Sequence, residues 1–181
     1  PTPTEAPTAI NTEIPEPTAD PAFRQLTFMH NANYPRWSPD GSTIAFQSWD
    51  GRNSNIWTIP STGGEATQLS FEDQSYHPTW SPDGTRIAYA VIAADETWSV
   101  WAIPAEGGEP TRISAEGLNV SHPVWWPGGD AIIASGIETG GDTIDLWLLP
   151  VDGGEAHNLT NSDEMTFNPG WSPDGSQIVF H

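Results

Sequence analysis

An all-β chain of repeated four-stranded units is what this sequence predicts, and three markers running in one phase predict it. The first is Trp37-Ser38-Pro39-Asp40-Gly41 followed by Ile44-Ala45-Phe46. It returns as Trp80-Ser81-Pro82-Asp83-Gly84 with Ile87-Ala88-Tyr89, and as Trp171-Ser172-Pro173-Asp174-Gly175 with Ile178-Val179-Phe180. A degraded copy, Trp125-Trp126-Pro127-Gly128-Gly129 with Ile132-Ile133-Ala134, lies between them. The second marker is Trp57, Trp101 and Trp147, each just upstream of a proline. The third is Gly63-Gly64-Glu65, Gly107-Gly108-Glu109 and Gly153-Gly154-Glu155. The tryptophans recur about every 45 residues, a period that points to the blades of a β-propeller.

Each element of the repeat has a local reason. Pro35 to Ser38 is expected as a short strand ending in the tryptophan. Ser-Pro-Asp-Gly is a type I turn: proline presets φ, aspartate favours the third position, and glycine takes the left-handed position that follows. Thr43 to Trp49 is a second strand, rich in β-branched and aromatic residues. Asn55 to Ile59 is a third; the Gly63-Gly64 turn follows, and Ala66 to Ser70 is a fourth. Four antiparallel strands make a propeller blade, and no useful helical period competes. Gln25-Leu26-Thr27-Phe28 matches Gln68-Leu69-Ser70-Phe71, so Phe23 to Phe28 reads as the last strand of a preceding repeat. The expected organisation is a linker at 1–22, then propeller repeats over 23–181. Blades fall at about 29–71, 72–114 and 115–160, with a partial one at 161–181: about three complete blades plus flanking strands. The linker is rich in proline, threonine and acids and has no apolar period, so it is expected to be extended and disordered.

The totals narrow the function. The chain has 181 residues, no cysteine, and 24 acids against five basic residues, a net charge of −19. Nucleic acid and anionic membranes would be repelled; a cationic partner would be attracted. No apolar stretch is long enough to span a bilayer. The absence of cysteine removes thiol nucleophiles and disulfides.

The repeat resembles that of the TolB-like, WD-repeat-like β-propellers. The residues that carry the resemblance are the copies of P-x-W-S-P-D-G-x-x-I-A-F, the I-W-x-I-P that follows, and G-G-E with a closing Q-L-S. It covers about residues 23–181, and the third copy departs from it at Trp126 and Gly128. Similar blades occur in periplasmic TolB, in tricorn-type proteases and in the propeller domains of prolyl oligopeptidase relatives. Those relatives keep a Ser-His-Asp triad in a separate hydrolase domain. Nothing here resembles one, and Gly-x-Ser-x-Gly is absent. The resemblance therefore implies a non-catalytic protein-binding or scaffold module of the bacterial envelope or exterior, periplasmic or extracellular. The alternatives are the propeller of a prolyl-oligopeptidase-like or tricorn-like peptidase and the sensor ectodomain of a membrane kinase or regulator.

Candidate site residues follow from the repeat. His77 and His122 share one repeat position, just before the proline that opens the inner strand, where the other copies have Tyr34 and Asn168. Two histidines without a third ligand in register are read as polar lining of a channel mouth rather than as a metal site. The loops at 49–54, 71–77, 93–98, 115–122, 137–144 and 161–168 vary between repeats, as binding loops do. They carry acids, among them Asp50, Glu72, Asp73, Asp95 and Glu96. A cationic or polar protein segment is expected to dock there, contacting Tyr34, His77, His122 and Asn168, with Asp95 and Glu96 steering it. Trp49, Trp98 and Trp126 lie off the repeat register and are further binding candidates. No catalytic residue, metal ligand or cofactor is assigned. Asp50-Gly51-Arg52-Asn53-Ser54-Asn55 is read as a turn, with calcium as its alternative. Open ends of the array are expected to favour self-association.

Overall fold

The computed structural model describes residues 24–29, 31–49, 51–71, 74–172 and 174–181. The expected linker at 1–22, Phe23, and the loop acids Asp50, Glu72 and Asp73 lie outside the described residues. No helix occurs among those that are described. The first sheet is β1 (Ala32–Trp37), β2 (Thr43–Trp49), β3 (Ser54–Pro60) and β4 (Thr67–Gln68), hydrogen-bonded in that order. The second is β5 (Gln74–Trp80), β6 (Arg86–Ile92), β7 (Trp98–Pro104) and β8 (Thr111–Arg112). The third is β9 (Leu118–Trp125), β10 (Ala131–Glu138), β11 (Asp145–Pro150) and β12 (His157–Asn158). A two-stranded sheet of β13 (Gly170–Trp171) and β14 (Ile178–Val179) follows. All pairs are antiparallel meanders, the arrangement of a partial propeller.

The turn motif works through its aspartate. The Asp40 carboxylate accepts the Ser38 hydroxyl at 2.6 Å, the Ser42 amide at 3.0 Å and the Ser42 hydroxyl at 2.9 Å. Asp83 and Asp174 repeat the pattern with Ser81 and Thr85, and with Ser172 and Ser176. The closing glycines Gly41, Gly84, Gly129 and Gly175 have φ between 67° and 82°, where a side chain would be strained. The degraded copy keeps this frame through backbone alone: Trp126 donates to the Ala131 carbonyl and Gly129 to that of Trp126, both at 2.8 Å.

The inner strands begin earlier than the sequence predicts. Ala32 and Asn33 already pair with Ser48 and Gln47, and pairing resumes at Arg36 with Ala45 after a bulge. The same shift interrupts β5 between Tyr76 and Thr79, and opposes β9 to β10 between Ile133 and Ser135. Proline has no N–H to give the ladder, so the strand continues past it by bulging rather than by starting there. The outer strand is shorter than expected, at two residues. A hydroxyl completes its ladder instead. Ser70, Ser114 and Thr160 accept the amides of Ile56, Val100 and Leu146 at 2.9, 3.1 and 3.0 Å.

The core lies between sheets. Ala45, Ile56 and Leu69 of the first sheet meet Ile87, Tyr89 and Ile103 of the second. Ala88 and Val100 of the second meet Trp125, Ile132 and Leu149 of the third. Leu26 and Met29 cover Ile44, Phe46 and Ile59 on the remaining face of the first sheet. Leu26 thus serves the first sheet as Leu69 serves the second, although residues 24–29 form no strand.

The repeat tryptophans stitch one sheet to the one before. Trp80 Nε1 donates to the Arg36 carbonyl at 3.0 Å, and Trp125 Nε1 to the Thr79 carbonyl at 3.1 Å. The four repeat tryptophans are not equally buried. Trp125 is 4 % exposed, whereas Trp37 is 60 % exposed, because no sheet precedes the first among the described residues. Trp80 and Trp171 are half-buried. The difference is measurable by urea unfolding. Trp125→Ala is expected to destabilise by about 3–5 kcal/mol, as for a large core aromatic. Trp37→Ala is expected to stay within about 0.5 kcal/mol of the parent, as for an exposed residue. Equal losses would mean that the indole-to-carbonyl stitch does not hold the array.

Candidate functional site

The bulges put four side chains around one cavity. Tyr34, His77, His122 and Asn168 have φ of 51°, 54°, 53° and 51°, a region non-glycine residues seldom adopt. Each is followed by the proline that carries the strand onward. Repetition of the same unusual backbone angle at one repeat position aims all four along the channel wall. They line a cavity of about 550 Å³ together with Arg36, Thr79, Val124, Gly170, Pro78, Pro123 and Pro169.

Rings run along this wall. The Tyr34 and His77 rings meet edge-on with centroids 4.7 Å apart, and His77 stacks on His122 at 4.0 Å with 23° between the planes. His77 also lies beside Tyr76 and Trp98. Its backbone amide donates to Gln47 Oε1 of the first sheet at 3.0 Å, while its Nδ1 is buried without a partner among the described residues. His122 Nδ1 and the Ser121 hydroxyl are 3.0 Å apart. Asn168 is exposed, with its amide 3.5 Å from His181 Nε2.

The charge on this wall differs from that on the loops. Burial, then His122, then Arg36 push His77 down to about 4, and burial lowers His122. Both imidazoles are therefore neutral at neutral pH, and Arg36 is the cation of the cavity lining. Sequence reasoning missed Arg36. Its repeat equivalents are Thr79, Val124 and Gly170, so nothing in the pattern marks it.

Asp95 and Glu96 are not in the lining. They sit in the exposed turn between β6 and β7, where Asp95 accepts the Thr97 amide at 3.1 Å and hydroxyl at 2.6 Å. Those bonds hold its carboxyl below the usual range. Asp95 caps its own turn, while Glu96 has φ of 65° beside it. Among the off-register tryptophans, Trp98 stands beside the histidine stack, and Trp126 meets Trp171 edge-on at 4.7 Å. Trp49 is exposed. No group of three His, Asp or Glu side chains is placed to share a metal ion among the described residues. A cavity of about 450 Å³ opens on the turn face between the first two sheets. Its Asp40 and Asp83 are already engaged by turn hydroxyls and amides, which hold both near 2.

The histidine stack makes stability depend on pH. Between the ordinary value of 6.5 and about 4, the unfolded chain binds protons that folded His77 does not. Stability from the neutral stack is complete above 6.5 and is lost as pH falls toward 4. The turn aspartates contribute their own loss lower, from 3.8 toward about 2. Urea midpoints of the parent are expected to fall between pH 7 and pH 4.5, and His77→Gln is expected to flatten that fall. An unchanged slope in the variant would remove His77 as its source.

No family profile and no curated protein matches the chain. Solved structures do. A TolB-type protein from Agrobacterium tumefaciens superposes with a TM-score of 0.77 at 29 % identity, over 85 % of this chain and 55 % of that one. TolB from Acinetobacter baumannii gives 0.70 at 19 %, over 82 % and 37 %. The β-propeller domain of the Trilobed protease from Pyrococcus furiosus, described as having an open velcro topology, gives 0.61 at 17 %, over 83 % and 47 %. The chain spans little more than half the length of the first and less than half of the others. Period, sheet topology and these superpositions agree: the chain is a TolB-like β-propeller array.

Proposed function

We propose that this chain is a non-catalytic protein-binding module of the bacterial envelope or exterior, and that a polar or cationic protein segment docks at the channel mouth. The observation that carries this reading is the wall of Tyr34, His77, His122 and Asn168, four residues at one repeat position with one strained backbone angle around one cavity. Strained φ values held in register are a signature of ligand sites. Arg36 refines the expectation of a cationic partner. Basic groups of the ligand stay at the acidic loops, and its neutral or apolar portion enters past the histidines. The likeness to TolB supports the envelope placement, and no helix among the described residues is long and apolar enough to cross a membrane. The missing Gly-x-Ser-x-Gly supports the absence of catalysis. The likeness to the Trilobed protease propeller favours one second reading, the propeller of a peptidase whose chemistry lies in another domain. Self-association through the uncovered face at Trp37 and the exposed Val179 and Phe180 belongs to the same proposal.

Two measurements test it. Peptides selected from a random phage-displayed library on the immobilised chain are expected to be enriched in Lys or Arg and to lose binding to His77→Ala/His122→Ala. Glu96→Lys should slow their association and weaken its salt dependence. Peptides that bind the double variant equally well would place the site elsewhere. Purified chain is also expected to show no turnover of peptide or ester substrates. Turnover abolished by a single substitution would overturn the non-catalytic reading.

A further inference from the structure

A second, smaller cavity of about 220 Å³ opens beside the channel between the third sheet and the segment leading to β13. His122 lines both cavities. The smaller one is walled by Trp98, Ile137, Ile144 and Phe167, with Ser121 and Ser135 on the sheet behind. At this size it is below the roughly 300 Å³ at which pockets take whole small molecules, so it suits one side chain.

Ser135 distinguishes this cavity from a packing defect. It is 3 % exposed, and its hydroxyl has no hydrogen-bond partner among the described residues. Buried hydroxyls are nearly always bonded, so an orphan in a cavity wall calls for an occupant with a polar tip. The repeat shows how the position is filled elsewhere. Gln47 stands in the first sheet where Ser135 stands in the third, and its Oε1 reaches the backbone amide of His77 in the next sheet. Ser135 is too short for that reach, and space is left instead.

We propose that this cavity is a specificity pocket for the partner segment, taking a tyrosine side chain flanked by Arg or Lys. The inference rests on the channel-mouth reading above. Trp98 and Phe167 offer faces and edges to an aromatic ring. The Ser135 hydroxyl meets the phenol at the floor. The flanking charge follows from the rim. Asp95 and Glu96 lead into Trp98, Glu138 follows Ile137, Asp142 precedes Ile144, and Glu164 precedes Phe167. The loops at 93–98, 137–144 and 161–168 contain no Lys or Arg. A basic residue beside the tyrosine therefore meets acids on each side.

The test uses three probes on the full chain: acetyl-Arg-Tyr-Arg-amide, its Phe counterpart and its Ala counterpart, titrated by NMR or calorimetry. Tyr is expected to bind tighter than Phe by about two- to tenfold, the range of one hydrogen bond. Ser135→Ala should erase that preference while leaving Phe binding intact. Ile137→Trp, which fills the cavity, should weaken Tyr and Phe about tenfold or more and leave Ala unchanged. The parent-chain comparison of Tyr, Phe and Ala needs no variant, so misfolding of a variant cannot mask the outcome. Equal affinity for the three peptides would overturn the pocket. So would a Tyr preference that survives in Ser135→Ala. If library peptides still depend on His77 and His122 in either case, the pocket fails while the channel reading stands. If that dependence is lost as well, both fail.

Discussion

The array depends on an indole N–H that one repeat lends to the one before. Trp80 bonds the carbonyl of Arg36 and Trp125 that of Thr79, and in each case the acceptor precedes the previous repeat's own tryptophan. An indole N–H withdrawn from water is stabilised by an acceptor, and this carbonyl is where the repeat offers one to Trp80 and Trp125. Because donor and acceptor occupy fixed repeat positions, neighbouring sheets take the same spacing each time. Inner strands then converge, and Tyr34, His77 and His122 come within ring contact although about 45 residues separate each from the next. The channel wall is a product of that stitch.

The charge of −19 does not act as one field. Asp40, Asp83 and Asp174 lie on the turn face with their carboxylates engaged by Ser hydroxyls, then by amides and further hydroxyls. They organise turns. Asp95 does likewise for its loop. Glu96, Glu138 and Asp142 are exposed and free to act at a distance through solvent. Between these acidic rims the channel holds neutral imidazoles and the Arg36 guanidinium. The charge therefore changes sign between the exposed acids of the loops and the Arg36 guanidinium of the cavity lining.

The fold was legible because its determinants are local and recur. Trp-Ser-Pro-Asp-Gly encodes a turn within five residues, and its repetition reveals the unit. Even the degraded copy holds, because Trp126 and Gly129 supply backbone bonds without the serine and aspartate. The grouping of Tyr34, His77, His122 and Asn168 was legible for the same reason: they share a repeat position. What was not legible arises between repeats. Trp37 and Trp125 hold the same repeat position, yet one is bare and the other covered. Arg36 enters the channel from a position where the other repeats have Thr, Val and Gly. The bulge that aims the histidines depends on cross-strand register, and the exchange of Gln47 for Ser135 acquires meaning only when the next sheet is in place.

The hydroxyls of Ser70, Ser114 and Thr160 meter the chain. Each stands fourteen residues beyond the amide it accepts, in all three complete sheets. The segment between them contains the Gly-Gly turn and the two-residue outer strand, so one residue gained or lost there would detach the hydroxyl from its amide and shift the rim. The loops on the opposite edge differ in length and sequence from repeat to repeat. Length changes can accumulate there without cost to the ladder. Evolution can therefore lengthen, shorten and diversify one rim of this array while the other is held to a fixed gauge.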